Sequence, residues 1–271
     1  MTCNMDNKVV LITGAGRGLG RAIAEAFHKA GWHIIATDMD EKLFFDVSVK
    51  ERYTCVKLDI TSEKETENCA RIVDEKFGCL DVLVSNAGIV DYYPVSEAGS
   101  EKLRKIFDVN TFGLANLTKY FLPLMIKSHG RFIVISSESY NVPSPFQPYV
   151  VSKQALEKLY DSIKTELYTR GVKTVLIRPG AIETQILKST VDFDYPSSDS
   201  FFQKEFERFG SSIPKYIGRV STPGEVAKIV LKAGTSRHPR RVYHINHNPL
   251  ITFLTLLPGK LREMLIRKSL E

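Results

Sequence analysis

The sequence predicts an α/β protein, a doubly wound and mostly parallel sheet folded as a single domain. Three observations carry that expectation. Short Val/Ile/Leu-rich runs recur along the chain, each run or pair of runs gives way to a longer stretch of helical period, and the runs are apolar almost throughout rather than alternating. Near-continuous apolar runs suit strands covered on both faces, and their alternation with helices is the pattern of stacked β-α-β units. A chain of 271 residues is long enough for one large domain with a real core. Its 43% hydrophobic and 25% charged residues are those of an ordinary globular protein, which excludes disordered, collagen-like and coiled-coil classes.

Taken in order, the first strand is expected over residues 8–13 and enters a glycine cluster that opens a helix over 18–30. Strands over 33–37 and 53–58 precede a helix over 62–77. A strand over 80–85, a long helix over 101–127 and a strand over 131–135 come next. A helix over 149–169, opened by Pro148, leads to a strand over 173–177; a helix over 223–233 and a strand over 241–245 close the series. Two segments break the rhythm. Residues 185–218 are long and rich in Phe and Ser, as a segment covering a site would be. Residues 248–271 follow the last strand and have no place in the sheet. The organisation expected is therefore one α/β domain over 1–247, including a lid over 185–218, and a basic and apolar extension over 248–271.

Charge and cysteines narrow the partners. The net charge is +6. From Ser211 onward 11 Lys/Arg face 3 Asp/Glu, whereas the first 210 residues carry 26 against 28. A basic surplus confined to one end argues against a nucleic-acid footprint. The longest uncharged apolar stretch, near 249–259, carries two prolines and falls short of the ~18 residues a spanning helix needs. Residues 1–8 are polar and do not resemble a secretory signal, so a cytoplasmic location is expected. The four cysteines, Cys3, Cys55, Cys69 and Cys79, form no CxxC pair, and reduced thiols are expected. His244 and His247 flank a strand end without a carboxylate or cysteine at ligand spacing, so no metal is expected.

Two clusters carry chemistry. Thr13-Gly14-Ala15-Gly16-Arg17-Gly18-Leu19-Gly20 lies between a strand and a helix, where glycines let backbone N–H groups approach a pyrophosphate. Asp38 ends the next strand, where a carboxylate accepts hydrogen bonds from ribose hydroxyls and repels a 2′-phosphate. Arg17 points the other way, since a guanidinium pairs with phosphate. NAD is expected, with NADP the alternative. The second cluster is Tyr149 and Lys153, which share a helix face at spacing i, i+4. A free tyrosine titrates near 10, and a neighbouring ammonium favours its phenolate. A Tyr149 pKa lowered by Lys153, the helix N-terminus and a bound cationic nicotinamide together is the expectation.

Together these motifs resemble the short-chain dehydrogenase/reductase family, over essentially residues 8–247. The glycine motif is Thr13–Gly20 and the adenine-side acid is Asp59. Asn86-Ala87-Gly88, Asn110, Ser137, Tyr149 and Lys153, and Pro179-Gly180 with Ile182 and Thr184, complete the set. Ser85 stands where the family usually has Asn, a tolerable departure. The resemblance implies a Rossmann fold and hydride transfer between a nicotinamide cofactor and an alcohol/ketone pair. It implies Tyr149 as general acid/base, Lys153 as the group that tunes it and holds the nicotinamide ribose, Ser137 as the polariser of the carbonyl, and Asn110 as the holder of a relay water. Ser136 is the alternative to Ser137. A non-catalytic dinucleotide sensor on the same fold is the rival, disfavoured because all four catalytic positions are kept; an extended-family epimerase would need a larger C-terminal substrate domain. A homodimer or homotetramer is expected. The ending resembles the retinol- and hydroxysteroid-dehydrogenase-like branch, which implies a lipophilic alcohol. Aromatics of the lid (Phe193, Tyr195, Phe201, Phe202, Phe206, Phe209) face the substrate or pack the lid down. The extension packs on the body or a second subunit, covers the pocket mouth, or touches lipid.

Overall fold

The computed structural model describes residues 8–44, 46–47, 51–142, 144–191, 199–268 and 270. Seven strands form one sheet in the order β3-β2-β1-β4-β5-β6-β7, with every neighbouring pair parallel. They are β1 (Val9–Thr13), β2 (His33–Asp38), β3 (Tyr53–Lys57), β4 (Val82–Ser85), β5 (Arg131–Ile135), β6 (Lys173–Pro179) and β7 (Val242–Ile245). β1, β4 and β5 are buried at every position, which is why their sequences run apolar instead of alternating. The strand order reverses between β1 and β4, and ligands of such sheets bind beyond the carboxyl ends of the strands at that point.

Alternate residues of each strand feed two cores. On one face Val10, Ile12, Ile34 and Ile133 pack with Ile23 and Phe27 of α1 (Gly18–Lys29) and Val226 and Val230 of α8 (Pro223–Thr235). On the other, Leu11, Ile35, Leu83 and Phe132 pack with α2 (Glu63–Phe77), α4 (Gly113–Ser128) and α5 (Pro148–Tyr168). The helix ends follow local rules. Ser62 caps α2 by accepting from the Glu65 amide, and Gly78 ends it in the left-handed region. Thr222 and Glu225 form a reciprocal capping box at α8.

Three features depart from expectation. The long helix over 101–127 is two helices, α3 (Gly99–Phe107) and α4, joined by a π-helical turn at Asp108–Phe112. Residues 248–271 fold as α9 (Pro249–Leu256) and α10 (Gly259–Lys268), with the Asn248 side chain capping α9. Finally, Cys79 is disulfide-bonded, while Cys55 and Cys69 are free thiols. The expectation of reduced thiols throughout is corrected at Cys79: pairing depends on distance in the folded chain, which motif spacing does not report.

Candidate active site

The carboxyl ends of the strands open into one cavity of about 1110 Å³. Of the residues expected to hold cofactor or act on substrate, Gly14, Arg17, Gly18, Leu19, Gly20, Asp38, Asp59, Asn86, Ala87, Gly88, Ser137, Tyr149, Lys153, Pro179, Gly180, Ile182 and Thr184 all line it. Gly16 and Asn110 lie just behind the wall, each tied to a residue that forms it.

The glycine end has the shape a dinucleotide needs. Gly14 takes φ +64°, and a Cβ on Gly20 would sit 2.0 Å from the Gly14 carbonyl oxygen, so a side chain there would force the glycine turn away from α1. Helix α1 begins at Arg17 with no side-chain cap and no acidic residue in its first turn. Its opening amides are thus left to an anion. Thr13, at the end of β1, accepts from the backbone amides of both Asn86 and Ala87 at 3.0 Å, while the Asn86 side chain donates to the Thr13 carbonyl. This stitches the glycine turn to the Asn-Ala-Gly loop across the switch point. Asp38 Oδ2 accepts from the Gly16 amide at 3.0 Å, which fixes a carboxylate beside the loop. These contacts fit a nicotinamide dinucleotide: Gly14–Gly20 would receive the pyrophosphate, Asp38 the adenine-side ribose and Asp59 the adenine edge. Gly20→Ala should weaken dinucleotide binding at least about tenfold by fluorescence titration, because the added methyl collides with the Gly14 carbonyl and displaces the turn that forms the cradle.

At the other end Tyr149, on the first turn of α5, hydrogen-bonds through its hydroxyl to Ser137. Ser137 Oγ also lies 2.9 Å from Ser139 Oγ. Ser136 is turned away and donates to Glu157 Oε1 at 2.6 Å. Glu157 in turn holds Arg178 through two contacts of 2.9 and 2.6 Å, a buried network beneath the site. Of the two candidate serines, Ser137 is the one beside the tyrosine.

The acid–base balance of the pair is dominated by burial. Burial pushes Tyr149 up to about 12, with the Ser137 hydrogen bond pulling down only in part. Burial likewise pulls Lys153 down to about 8, opposed by Glu157. The Lys153 ammonium lies 5.7 Å from the tyrosine ring centre and donates to the Ile135 carbonyl at 3.1 Å. Desolvation of both groups outweighs their attraction at this separation, so Lys153 by itself does not depress Tyr149.

Asn110 sits in the π-helical turn. Its Oδ1 accepts from the Ile89 amide at 2.9 Å, and its Nδ2 donates to the Ile89 carbonyl and to Ser152 Oγ, each at 2.9 Å. Ser152 Oγ donates onward to the Tyr149 carbonyl at 2.7 Å. Asn110 thereby ties the loop after β4 to the first turn of α5. The extra residue of a π turn is what aims it there, a common use of that irregularity. Ser152, Thr13 and Glu157 are site-supporting residues that the motif reading did not assign. Their roles depend on partners 21 to 74 residues away, and only the position of Ser152 three residues after Tyr149 gives a local signal.

The remaining wall is apolar. It takes Tyr92, Phe209 and Ile213 from the body and lid helix α7 (Gln203–Tyr216), and Leu250, Phe253, Leu254, Leu265 and Ile266 from α9 and α10. Phe206 is fully buried with Tyr92, Phe146, Phe209 and Ile213 in a separate small core. Phe206 thus packs the lid down, Phe209 both packs and faces the cavity, and Phe201 is exposed. Phe193 and Tyr195 lie outside the described residues. Helix α6 (Gln185–Val191) contributes Ile186 and Leu187 above Thr184.

A parallel sheet with a glycine cradle at its switch point and a Ser–Tyr–Lys cluster facing it defines an NAD(P)-dependent oxidoreductase. Residues 8–194 match the family model for short chain dehydrogenase, and the chain belongs to the short-chain dehydrogenase/reductase family. It is 28% identical to an NADPH-dependent 3-dehydrocapnine reductase of Ornithobacterium rhinotracheale over 97% of this chain and 98% of that protein. It is 31% identical to a diacetyl reductase, (S)-acetoin forming, of Staphylococcus epidermidis over 83% of this chain and 90% of that one. Among solved structures, a short-chain dehydrogenase from Streptomyces avermitilis superposes with a TM-score of 0.79 at 27% identity, covering 98% of this chain and 96% of that chain.

Proposed function

We propose that this protein interconverts a lipophilic secondary alcohol and its ketone, with Tyr149 as the proton donor and acceptor. One observation carries the proposal: the Tyr149 hydroxyl, hydrogen-bonded to Ser137, stands where the glycine-cradle half of the cavity meets the apolar half. The bound nicotinamide supplies or receives the hydride, and the protein supplies geometry and the proton. In the reducing direction Tyr149, held protonated by burial, donates its hydroxyl proton to the substrate oxygen, while Ser137 fixes that oxygen by hydrogen bonding. Lys153 holds the ribose and, as the local cation, favours the tyrosinate that donation leaves behind. Asn110 is a positioning residue: both amide hydrogens and one lone pair are committed to protein, leaving one lone pair for a water. The apolar walls exclude water and select a bulky hydrocarbon substrate. Leu250, Ile251, Phe253 and Leu254 of α9 and Leu265 and Ile266 of α10 complete the substrate-binding wall.

For the cofactor, the fixed Asp38 carboxylate favours NAD, because it would face a 2′-phosphate at short range. The exposed Arg17 and the NADPH dependence of the Ornithobacterium relative favour NADP as the second choice. Asp38→Ala is expected to shift the NAD/NADP preference toward NADP by about tenfold or more in kcat/KM. An unchanged ratio would remove Asp38 from the selection. The test of the whole proposal is turnover at ~340 nm, where the reduced nicotinamide absorbs, with purified protein, either dinucleotide and a panel of small, aliphatic, steroid and retinoid alcohols and ketones. Preference for the bulky members supports the reading. Dinucleotide binding without turnover of any of them would favour a sensor.

A further inference from the structure

Helices α9 and α10 present two apolar faces, and only one of them is used by the cavity. Inward, Ile251, Leu254, Ile266 and Leu270 line the pocket. Outward, α10 carries Leu261, Met264 and Leu265 at spacing i, i+3, i+4, exposed by 40%, 56% and 38%. Helix α9 adds Leu256, 78% exposed, and Phe253, 54% exposed. Leu250, Phe253 and Leu265 belong to both sets, exposed at the surface and lining the cavity. The apolar surface is therefore continuous from solvent into the pocket. A run of side chains this large at helical spacing is not the scattered exposure of single residues that ordinary surfaces show.

The charges beside it indicate what covers it. Lys260, Arg262, Arg267 and Lys268 lie on α10 against Glu263, and the last 61 residues hold the chain's basic surplus. Arg267 is paired with Glu263, while Lys260 and Lys268 stand exposed at the two ends of the apolar stripe. A short helix with an apolar stripe and flanking lysines lies in the plane of a lipid interface and is drawn to anionic headgroups. Among the described residues no helix is long and apolar enough to cross a membrane, so contact is made by lying on the surface.

We propose that the α9–α10 face docks on an anionic lipid bilayer and that substrate passes between bilayer and pocket through the rim formed by Leu250, Phe253 and Leu265. The entry route rests on the lipophilic-substrate reading above; the docking does not, because it needs no turnover to be seen. The docked stripe buries Leu256, Leu261 and Met264 among the acyl boundary, and Lys260 and Lys268 reach the headgroups. Arg267, tied to Glu263, adds less.

The test is co-sedimentation of the full-length protein with phosphatidylcholine vesicles, with and without phosphatidylglycerol. Binding is expected to the phosphatidylglycerol vesicles and to weaken as salt is raised. The triple variant Leu256→Ser, Leu261→Ser, Met264→Ser avoids every residue that lines the pocket. It should lower vesicle partitioning at least about tenfold and leave turnover of a small water-soluble ketone unchanged. Lys260→Gln with Lys268→Gln should remove the preference for phosphatidylglycerol. Wild-type protein that stays in the supernatant, or a triple variant that pellets like the parent, overturns the proposal. If the triple variant instead converts a dimer to a monomer in size-exclusion chromatography, the face is a contact between two copies. Vesicle binding without a faster reaction on vesicle-borne than on dispersed ketones would retain the docking and remove the entry route.

Discussion

Tyr149→Phe is expected to lower kcat by at least about a thousandfold while leaving dinucleotide affinity within about twofold of the parent, since it removes one proton-carrying oxygen and little else. The ring stays, so the packing of α5 against the cavity wall is kept. What disappears is the hydroxyl bonded to Ser137. A pH series separates proton transfer from general damage. Because burial holds the phenol near 12, oxidation of the alcohol, which needs the tyrosinate, should accelerate as pH rises through the alkaline range. Carbonyl reduction, which needs the phenol, should be flat across the neutral range and fall only as pH approaches the tyrosine value. A Phe variant that retained a tenth of parental turnover would displace Tyr149 from the chemical step.

Lys153→Met should abolish most activity and yet make the dinucleotide-free protein more stable. A lysine whose folded pKa is about 8 destabilises the native state wherever the unfolded chain would hold the proton more tightly. Against an ordinary value near 10.4 the penalty is fully present below pH 8 and fades as pH rises from about 8 toward 10.4. It is of order 3 kcal/mol at neutral pH, reduced by the loss of the hydrogen bond to the Ile135 carbonyl. Urea denaturation at pH 7 and again near pH 10 is the check: the stabilisation should be large at the first and small at the second. Equal midpoints at both values would mean that the ammonium is well solvated after all. A stability gain bought with lost function is what a strained, desolvated active site predicts.

Much of this arrangement was legible before any coordinates. The β5 bounds match those expected, the helix carrying Tyr149 begins at Pro148, and the motif glycines fall at the carboxyl end of β1. These are local signals: apolar runs, a proline at a first turn, glycines where backbone must approach backbone. What stayed hidden depends on distant partners. The π-helical turn around Asn110 offsets the downstream pattern by a single residue, too small a change in the apolar spacing to divide residues 101–127 in two. The Ser136–Glu157–Arg178 network could not separate the two serines until the chain brought Glu157 beneath one of them. Spacing i, i+4 reports that Tyr149 and Lys153 are adjacent but not the desolvation that raises the one and lowers the other. The extension at 248–271 was ambiguous because its helices are apolar on both sides, so sequence alone names no inner face.

Those last residues also change how the mouth of the cavity must behave as a mechanism. Arg208, on lid helix α7, donates to the Leu270 carbonyl at 3.0 Å, and Leu270 packs into the aromatic cluster of Phe146, Phe206 and Phe209. Lid and C-terminus are thus coupled like two leaves of one door sharing a latch. Neither can swing away from Phe146 without carrying or releasing the other. A protein clipped just before Leu270 would lose the latch with every catalytic group in place, and its turnover would then be governed by how often the doorway stands open.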